Sequence, residues 1–552
     1  MYLFQRKQVT KVYLLSIILA AAALRLHNID FGLPSLWDDD EPFFLMFGLK
    51  LLENQTLNPG WFGHPGTTTI YLISLCTAAV YATGSLIGSW SNAAEFVAAI
   101  YAQPEIIMVP QRVTIAIPGL ISVWLTWRIG QRIHSATAGL VAAAILALSP
   151  LHVELSQLVR TDVQMTMWVL WSVYAALPLR QGYRRRALVV SSVLAGAACA
   201  TKWPGVLILS VVLSFVATGK GSRAQKALRS ALAIFSCAGA LLAISPYLLL
   251  DYRTVLANVI VEGRPRHLSQ TSSGLLETLA NYGLDVLPHA LGWPALVLAG
   301  CAFVAMIIGP RRSELVIPVA VPMLTFLGLI SLQSIMWPRW AVPMLPFLAI
   351  AAGISIAAIA ERLVALNKMA RSAAQALVLL IIFLPLAIGA RNAAAERSND
   401  TRDLALEWIE NNVPAAASIA VETPALALLK GPWPLRFPLG DAGCVDPRQA
   451  MAGHIDYDDV SRATKDRINI NLSTVPTAKL QSCRADFVVI NEFDRYLAEA
   501  RFYPSELANY RALLAGMKQV AIFVPERGKA GGPVVRIYEN VRPAGAQTNA
   551  TG

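Results

Sequence analysis

Charged side chains are scarce in this chain: Asp, Glu, Lys and Arg make up only 15% of its 552 residues. Soluble globular domains carry roughly 25%. The shortage accompanies 55% hydrophobic residues and a mean hydropathy of +0.51. These values argue against the three or four soluble domains that length alone would suggest. Together with the long apolar runs, they predict a polytopic membrane protein.

The chain also lacks a soluble basic face with interleaved aromatic residues, although its net charge is +11. Nucleic-acid binding needs such a face, so we exclude nucleic acid as a partner. In a membrane protein the informative quantity is where Lys and Arg lie, because those in short loops mark the cytoplasmic side.

No CxxC pair occurs among the six cysteines. Four of them lie in apolar segments, where cysteine packs as a small hydrophobe. Cys444 and Cys483 lie in the polar C-terminal part of the chain. They either form a disulfide, if that part is outside the cytoplasm, or remain two free thiols.

The apolar runs predict how the chain crosses the membrane. The first run, Val12 to His27, follows a basic flank, which predicts a cytoplasmic N-terminus and an uncleaved signal anchor. Residues 67–88 are apolar enough to cross, but the basic loops that follow favour a segment that re-enters or lies flat. Residues 187–218 are too long for one span and predict a hairpin with its turn at Lys202–Gly205. The total is about eleven crossings.

The predicted fold class is mainly α: a polytopic transmembrane helical bundle of about 11–13 spans with a small C-terminal soluble α/β domain. The bundle covers residues 1–392, and its first outer loop, 28–66, carries an interfacial helix. Residues 393–540 form the α/β domain, with short β-like runs such as Phe487–Ile490, and residues 541–552 form a disordered tail. We predict a bacterial inner-membrane protein whose site and C-terminal domain are extracytoplasmic.

Four consecutive carboxylates, Asp38 to Glu41, follow the first span. Like charges and nearby apolar surface raise the pKa of such groups. One of them is therefore a candidate general base, and two are candidate cation ligands. The alternative is an acidic turn that caps a helix beginning at Pro42, whose N-terminus favours negative charge. The two interpretations are compatible.

Further ionisable residues are predicted at the same lipid–water boundary. Arg160 and Asp162 flank the start of a span, where Arg is commonly an interfacial anchor but Asp is not. Lys202, at the hairpin tip, either snorkels or binds a phosphate. His64, before a proline, is either a turn residue or a site residue. The long outer loop and a later span end add four more residues: Arg264, Arg266, His267 and Arg339.

Carboxylates and guanidinium groups at the mouth of a lipid-facing cavity suit one task well. A carboxylate removes a proton from an acceptor. The cations stabilise a departing phosphate, which Arg binds with two parallel hydrogen bonds.

The ionisable residues named above, and the motifs that contain them, resemble those of the GT-C glycosyltransferases. The resemblance is strongest to the branch of the protein O-mannosyltransferases and the lipid A aminoarabinose transferase. The resemblance covers roughly residues 10–360. It rests on these motifs: Asp40-Glu41 after a single span, the short helix that follows, His64-Pro65-Gly66, Arg160-Thr161-Asp162, Thr201-Lys202-Trp203-Pro204-Gly205, and Arg339 ahead of Pro343 and Pro346. One departure is Gly63-His64, which stands where the aminoarabinose-transferase type has an acidic–basic pair.

The resemblance implies a polyprenyl-phosphate-linked sugar donor, inversion at the anomeric carbon, and a glycolipid, glycan or protein acceptor. It implies a first-loop catalytic carboxylate at Asp40, with Asp39 as the alternative base, Glu41 beside it, and a second acidic residue at Asp162. The predicted phosphate-binding cations are Lys202, Arg264 and Arg339, and the further site residues are His64, Arg160 and His267. Cofactors stay unknown; a divalent cation, if bound, would take Asp40, Glu41 and Asp162.

Two other functions remain as alternatives. A transporter or flippase of lipid-linked sugars predicts charged residues near mid-membrane and broken helices in symmetric halves, whereas the ionisable residues here gather at one boundary. A non-enzymatic assembly protein would use the C-terminal domain as its working part. Deleting residues 393–552 separates it from the enzyme, whose membrane part would still bind donor.

Overall fold

A computed structural model describes residues 2–263, 267–272, 274–308, 315–365, 367–422, 426–448 and 470–540. The chain divides into two compact units. The helical domain comprises the described residues within Met1–Asp30, Asp38–Arg266 and Gln270–Ala393. The C-terminal domain comprises those within Phe31–Trp37, His267–Ser269 and Ala394–Gly552. The sequence did not predict that the two short segments, 31–37 and 267–269, would group with the C-terminal domain. The predicted tail, 541–552, lies outside the described residues.

The helical domain is built from α-helices of very different lengths. In chain order they are α1 Tyr2–Leu26, α2 Asp40–Glu53, α3 Thr67–Leu86, α4 Ala93–Ala102, α5 Glu105–Ile133, α6 Ala136–Leu148, α7 Pro150–Ser156, α8 Asp162–Ala176, α9 Arg185–Thr201, α10 Leu209–Thr218, α11 Arg223–Ile244, α12 Tyr247–Leu250, α13 Tyr252–Glu262, α14 Leu275–Asn281, α15 Leu287–Leu291, α16 Trp293–Ile308, α17 Val321–Ser331, α18 Leu345–Arg362 and α19 Lys368–Ser398.

Among the described residues, six helices are long and apolar enough to cross a membrane, or up to eight if each of two bent pairs is one span. The six are Gln8–Leu26, Thr67–Leu86, Glu105–Ile133, Arg223–Ile244, Pro338–Ala365 and Lys368–Ser398. This number is below the predicted eleven because several apolar runs are broken into shorter helices, such as Trp203–Thr218 and Val316–Ser331. The predicted fold class, a mainly α membrane bundle with a small α/β domain, is confirmed.

The predicted break at Lys202–Gly205 is also confirmed. Helix α9 ends at Thr201, and a 3₁₀ turn, Trp203–Ile208, leads into α10. A Cβ on Gly205 would lie 2.4 Å from the carbonyl carbon of Ala198, so only glycine lets the turn fold back against α9.

Small residues let the central helices approach closely. Helix α6 packs against both α5 and α18. A Cβ on Gly139 would lie 2.5 Å from the carbonyl oxygen of Trp127, and one on Gly353 would lie 2.4 Å from that of Ala138. Such close backbone contact is a common way for helices to associate in lipid, where the hydrophobic effect does not drive them together.

In the part of the C-terminal domain that the structure describes, six strands form one sheet in the order β3-β2-β1-β4-β6-β5. Strand β1 runs parallel to β2 and β4, and the other pairs are antiparallel. The strands are β1 Ile419–Val421, β2 Leu435–Pro438, β3 Cys444–Val445, β4 Phe487–Ile490, β5 Met517–Phe523 and β6 Val535–Asn540, and the helices are α20 Thr401–Asn412, α21 Leu426–Lys430, α22 Phe493–Ala498 and α23 Pro504–Leu514. Cys444 and Cys483 form a disulfide.

Both faces of β4 are buried. Val488 and Ile490 pack into one apolar cluster with residues of α22 and α23. Phe487 and Val489 pack into a second cluster with residues of α20. A strand covered on both faces is apolar along its whole length, which is why β4 was predictable from the run Phe487–Ile490.

Glu422, directly after β1, is a buried carboxyl group that joins the ends of two strands. It is 3% exposed. Its Oε2 accepts the backbone N–H groups of Asn491 at 2.6 Å and Glu492 at 3.0 Å, and the Tyr510 hydroxyl bonds to Oε1. Burial raises the pKa of Glu422 to about 7, although these hydrogen bonds act in the opposite direction.

We expect Glu422→Gln to remove a pH dependence of stability. A glutamate in the unfolded chain ionises near pH 4.3, so between there and pH 7 the folded domain holds a proton that the unfolded chain has lost. Stability of the wild type therefore falls as pH rises through this window, by roughly 4 kcal/mol at most. Glutamine stays neutral and can place its oxygen on the two amides, so the stability of this variant should change less with pH than that of the wild type.

Thermal melting of the full-length protein at pH 5 and pH 8 measures this difference. Glu410→Gln, an exposed glutamate on α20, is the control for the loss of one charge. An equal drop in melting temperature between the two pH values for wild type and Glu422→Gln would contradict the expectation.

Candidate active site

The acidic stretch forms the beginning of α2. Asp39 is the N-cap residue, and Asp40 and Glu41 lie in the first turn, where the helix N-terminus favours negative charge. Asp38 Oδ1 accepts the backbone N–H of Asp40 at 3.1 Å. The helix thus begins two residues before the predicted start at Pro42, and carboxylates cap it.

Arg160 joins Asp38 and Asp40. Its Nε and Nη2 donate to the Asp38 carboxylate at 3.1 Å and 2.6 Å. Its Nη1 lies 2.8 Å from Asp40 Oδ2. One guanidinium group therefore fixes the spacing of two carboxylates, and such planar, bidentate recognition is specific to arginine.

Arg339 approaches Asp40 from a later segment. Its Nη1 lies 3.8 Å from Asp40 Oδ2, and its guanidinium group lies over the Trp337 ring, 4.1 Å from the centroid. Its Nε is buried and has no hydrogen-bond partner among the described residues. Arg339 is thus held close to the carboxylate while part of its donor capacity is unused.

Asp40 is the most accessible carboxylate among these ion pairs. Its side chain is 32% exposed, compared with 15% for Asp38 and 3% for Asp162. Burial raises the pKa of the Asp40 carboxyl, but attraction to Arg160 and Arg339 outweighs it and holds the pKa well below its usual range. Asp40 is therefore ionised and reachable.

Asp162 and Lys202 form a second, nearly buried pair. Lys202 Nζ donates to Asp162 Oδ1 at 2.7 Å. Asp162 begins α8, and Lys202 lies at the break after α9. Lys202 is thus paired with a carboxylate in this structure, and its role in phosphate binding stays a prediction.

His64 lies among these charges. A short antiparallel bridge joins Pro65 and Lys202, and the His64 carbonyl oxygen accepts the N–H of Trp203 at 2.5 Å. Burial and the positive charge of Lys202 lower the pKa of His64 to about 3, against the opposite effect of Asp40 and Asp162. The ring is therefore neutral at physiological pH, and His64 ties the two loops together without adding a cation.

The structure does not bring Glu41 into this cluster. Its carboxylate, 0% exposed, is bound by Arg112 Nε at 2.9 Å and Nη2 at 2.6 Å. Its Oε1 also accepts the backbone N–H of Val159 at 3.1 Å, and Arg112 donates to the Ile29 carbonyl oxygen at 2.8 Å. Glu41 thus joins three segments of the fold, and sequence reasoning did not foresee its partner.

The remaining predicted site residues lie elsewhere or are not described. Asp39 is exposed. His267 belongs to the C-terminal domain, with its Nδ1 3.0 Å from the Leu268 carbonyl oxygen. Arg264 and Arg266 lie outside the described residues. No group of three or more His, Cys, Asp or Glu side chains within the described ranges could hold a metal ion; Asp40, Glu41 and Asp162 each pair with a different cation.

Sequence reasoning missed a second buried arginine. Arg25, at the end of α1, is 0% exposed and lies 2.8 Å from His152 Nδ1. It also donates to Ser156 Oγ and to the carbonyl oxygens of Ala21 and Ala147. Arg25 and Arg112 both lie in or beside apolar runs. An ionisable residue there needs a partner, and this was the signal that could have revealed both networks.

The carboxylate cluster and the basic loops lie at opposite ends of α5. Arg112 contacts Glu41, next to Asp40, and Arg132 lies twenty residues further along the helix. At 1.5 Å per residue this separation is about 30 Å, the thickness of the hydrocarbon core. The Arg132 guanidinium group lies 4.2 Å from the centroid of the Tyr174 ring. The Arg132 backbone carbonyl oxygen accepts a hydrogen bond from Arg180 Nη1 at 3.5 Å, so two basic residues meet at that far end.

This arrangement can perform acid–base chemistry next to an anion. An accessible, ionised carboxylate can take a proton from a hydroxyl or amide group. A guanidinium group 3.8 Å away, with unused donor capacity, can bind a negatively charged oxygen.

Residues 94–250 match the family model described as dolichyl-phosphate-mannose-protein mannosyltransferase. No curated protein sequence matches the chain.

Solved structures show the same fold. ArnT from Cupriavidus metallidurans in the apo state has a TM-score of 0.53 at 14% identity, over 97% of this chain and 98% of that chain. Its complex with undecaprenyl phosphate has a TM-score of 0.52 at 13% identity, over 96% and 98%. The oligosaccharyltransferase AglB from Archaeoglobus fulgidus, in complex with an inhibitory peptide and a dolichol-phosphate, has a TM-score of 0.51 at 13% identity, over 98% and 75%. The chain is an integral membrane protein with the GT-C fold, and the predicted resemblance is confirmed.

Proposed function

We propose that this protein is an integral-membrane glycosyltransferase that moves a sugar from a polyprenyl-phosphate-linked donor to an acceptor outside the cytoplasm. The observation that carries the proposal is the position of Asp40. It is an accessible carboxylate between two guanidinium groups, 2.8 Å from Arg160 and 3.8 Å from Arg339. The family match to a mannosyltransferase model supports the reaction class.

The donor class is supported by the neighbours. One ArnT structure contains undecaprenyl phosphate, and one AglB structure contains a dolichol-phosphate. Both are phosphates of long polyprenyl lipids. A lipid of this kind would present its phosphate at the membrane surface, where the Arg339 Nε–H group could donate a hydrogen bond to it.

In the reaction we propose, Asp40 accepts the proton of the acceptor group while that group attacks the anomeric carbon of the sugar. The bond between this carbon and the phosphate oxygen breaks, and the electron pair leaves with the lipid phosphate. A single displacement of this kind inverts the anomeric carbon. Arg339 binds the departing phosphate, and Arg160 holds Asp40 against Asp38. The paired Asp162 and Lys202 position the loops around the acceptor and the phosphate.

Charge and the disulfide both support one orientation in the membrane. The basic segments around Arg132 and Arg180 would face the cytoplasm, because positively charged loops stay inside. The carboxylate cluster, about 30 Å away along α5, would face outward. The bond between Cys444 and Cys483 suits an oxidising compartment. A bacterial inner membrane with an extracytoplasmic site and C-terminal domain fits both observations.

A panel of polyprenyl-phosphate sugars tests the proposal. Purified full-length protein in detergent or nanodiscs is offered each donor with glycolipid, glycan and peptide acceptors. Release of the free lipid phosphate is measured, together with transfer of the sugar. Consumption of at least one donor is expected. Transport of an intact lipid-linked sugar across a vesicle membrane, without cleavage of its phosphate bond, would instead support a flippase.

Arg339→Gln should weaken binding of the lipid phosphate. A hydrogen bond to a charged group is worth about 1.5–3 kcal/mol, so we expect affinity for undecaprenyl phosphate to fall by roughly 10- to 150-fold. Arg339→Lys should be intermediate, since it keeps the charge but loses the planar fork over Trp337. Calorimetric titration of the purified protein measures both variants.

Arg362→Gln is the matched control. Arg362 is an exposed arginine at the other end of the same apolar segment, Pro338–Ala365. The affinity of Arg362→Gln for undecaprenyl phosphate should equal that of the wild type. Equal affinity in Arg339→Gln and wild type would show that Arg339 does not bind the phosphate.

A further inference from the structure

Six arginines form a basic surface at the end of the helical domain that lies far from Asp40. They are Arg132, Arg180, Arg184, Arg185, Arg186 and Arg229. Arg132 lies in the last turn of α5, and Arg229 lies in the second turn of α11. The other four lie around the link between α8 and α9. Helix α9 leads from this link to Lys202, so the basic surface and the candidate active site lie at opposite ends of the same helix.

Two contacts join the three segments of the basic surface. Arg180 Nη1 donates to the Arg132 carbonyl oxygen at 3.5 Å. The Arg229 guanidinium group lies over the Tyr183 ring, 4.1 Å from the centroid, and its Nη1 donates to the Lys220 carbonyl oxygen at 2.7 Å. The end of α5, the link between α8 and α9, and the start of α11 therefore present their cations together.

The chain around these arginines supplies no negative charge. Residues 163–250 contain nine Lys and Arg but no Asp or Glu, and residues 106–153 contain no Asp or Glu either. Arg184, Arg185 and Arg186 stand at the N-terminus of α9, where the helix favours negative charge, yet its first turn has no acidic residue. Three cations at this position repel one another and the helix end, so an external anion would stabilise them.

Aromatic rings hold two of the guanidinium groups in place. Arg132 lies over the Tyr174 ring, 4.2 Å from the centroid, as Arg229 does over Tyr183. Arg132 donates no hydrogen bond within the part of the chain that the structure describes. A side chain that is already held loses less conformational freedom on binding, and the planar guanidinium group matches the geometry of a phosphate.

Exposed aromatic side chains place this surface at the level of lipid headgroups. Tyr183 is 43% exposed, and Trp124 and Trp171 are each 36% exposed. The Trp124 ring lies 6.3 Å from that of Tyr174, the residue under Arg132. Trp and Tyr are enriched where a membrane meets water, because their rings are apolar and their N–H or O–H groups are polar. The anion that suits these arginines is therefore a lipid phosphate.

We propose that the basic surface binds the headgroup phosphates of anionic phospholipids in the leaflet that it faces. This lipid site is separate from the donor-phosphate site at Arg339, and it does not depend on the proposed function. Juxtamembrane Lys and Arg attract anionic lipids, and basic pockets between helices bind their headgroups. Six arginines on three joined segments give such a headgroup several guanidinium groups at once.

Lipid titration of the purified full-length protein in detergent, read by native mass spectrometry, tests the proposal. The two probes are phosphatidylglycerol and phosphatidylcholine with the same acyl chains. Wild type should bind phosphatidylglycerol more tightly. Arg184→Gln, Arg185→Gln and Arg186→Gln should each lower this affinity roughly fivefold, and the triple variant should lower it roughly 100-fold. Affinity for phosphatidylcholine should not change.

Two further triple variants are the controls. Replacing the same three arginines with lysine keeps the charge, so affinity for phosphatidylglycerol should stay within about threefold of the wild type. The second control replaces three exposed arginines of the C-terminal domain with glutamine: Arg484, Arg501 and Arg511. It removes the same total charge and should keep the wild-type affinity for both lipids.

Equal affinity of the wild type for the two lipids would overturn the proposal, as would an unchanged affinity in the glutamine triple variant of α9. An equal loss in the C-terminal control would also overturn it, since net charge alone would then explain both. Glycerophosphoglycerol, the headgroup without acyl chains, should compete poorly; equal competition would show that the ligand is a soluble anion. If the triple variant does not fold, wild-type affinity in all three single variants rejects the site.

Discussion

Replacing Asp40 with asparagine is expected to lower kcat by about 10²- to 10⁴-fold, the contribution that a positioned general base makes. Asparagine keeps the shape and can still accept a hydrogen bond from Arg160, which now lies 2.8 Å from the carboxylate. The variant loses only the ability to take a proton. The protein should therefore fold normally, and the loss should appear in the chemical step.

Donor binding separates this role from phosphate binding. Asp40 lies 3.8 Å from Arg339, where a carboxylate repels an incoming phosphate. Asp40→Asn should therefore bind undecaprenyl phosphate as tightly as the wild type, or more tightly. Weaker binding would show instead that Asp40 helps to form the phosphate site. Binding is measured by titration, and kcat by release of lipid phosphate.

Asp39→Asn tests the alternative base. Asp39 is exposed at the N-cap of α2, and this variant should keep most of its activity. Wild-type activity in Asp40→Asn together with inactivity in Asp39→Asn would transfer the catalytic role to Asp39.

The pH dependence of the rate should reflect the ionisation of Asp40. Neighbouring arginines hold the pKa of Asp40 below its usual range. The fall in rate at acid pH should therefore occur below about pH 4, the ordinary pKa of an aspartate.

The sequence predicted the parts of the site that depend on local pattern. Asp40 and Asp162 were placed at one boundary by counting spans and basic loops, and the break at Lys202 followed from an apolar run too long for one helix. The strand β4 was predictable because both of its faces are apolar. These inferences need only the neighbours in the sequence.

Pairings between distant segments were not predictable in the same way. Arg112 with Glu41 joins residues 71 positions apart, and Arg25 with His152 joins residues 127 apart. The sequence shows that each arginine in an apolar run needs a partner, but it does not show which one. For the same reason the grouping of residues 31–37 with the C-terminal domain was missed, since this seven-residue segment is too short to show a helical or strand periodicity.

Breaking the ion pair of Glu41 and Arg112, which lies outside the carboxylate cluster, should strongly destabilise the protein. Both side chains are at most 1% exposed, and two hydrogen bonds of 2.9 Å and 2.6 Å join them. Removing one partner of a buried pair leaves an uncompensated charge and costs about 3–5 kcal/mol. We therefore expect Glu41→Gln and Arg112→Gln each to lower the melting temperature and the yield of folded protein strongly.

The double variant, Glu41→Gln with Arg112→Gln, decides how that loss arises. If the cost is an unpaired buried charge, removing both charges should restore part of the stability, and the double variant should melt above either single variant. Glu492→Gln, which breaks a more exposed pair with Arg495, should cost under about 1 kcal/mol. If Glu41 instead has the catalytic role that the family resemblance implies, Glu41→Gln should lose kcat and keep its stability. A Glu41→Gln protein with the wild-type melting temperature and a lost kcat would show that Glu41 takes part in the reaction. A protein that fails to fold, and is rescued by the second substitution, would establish it as the residue that holds α2, α5 and the segment before Arg160 together.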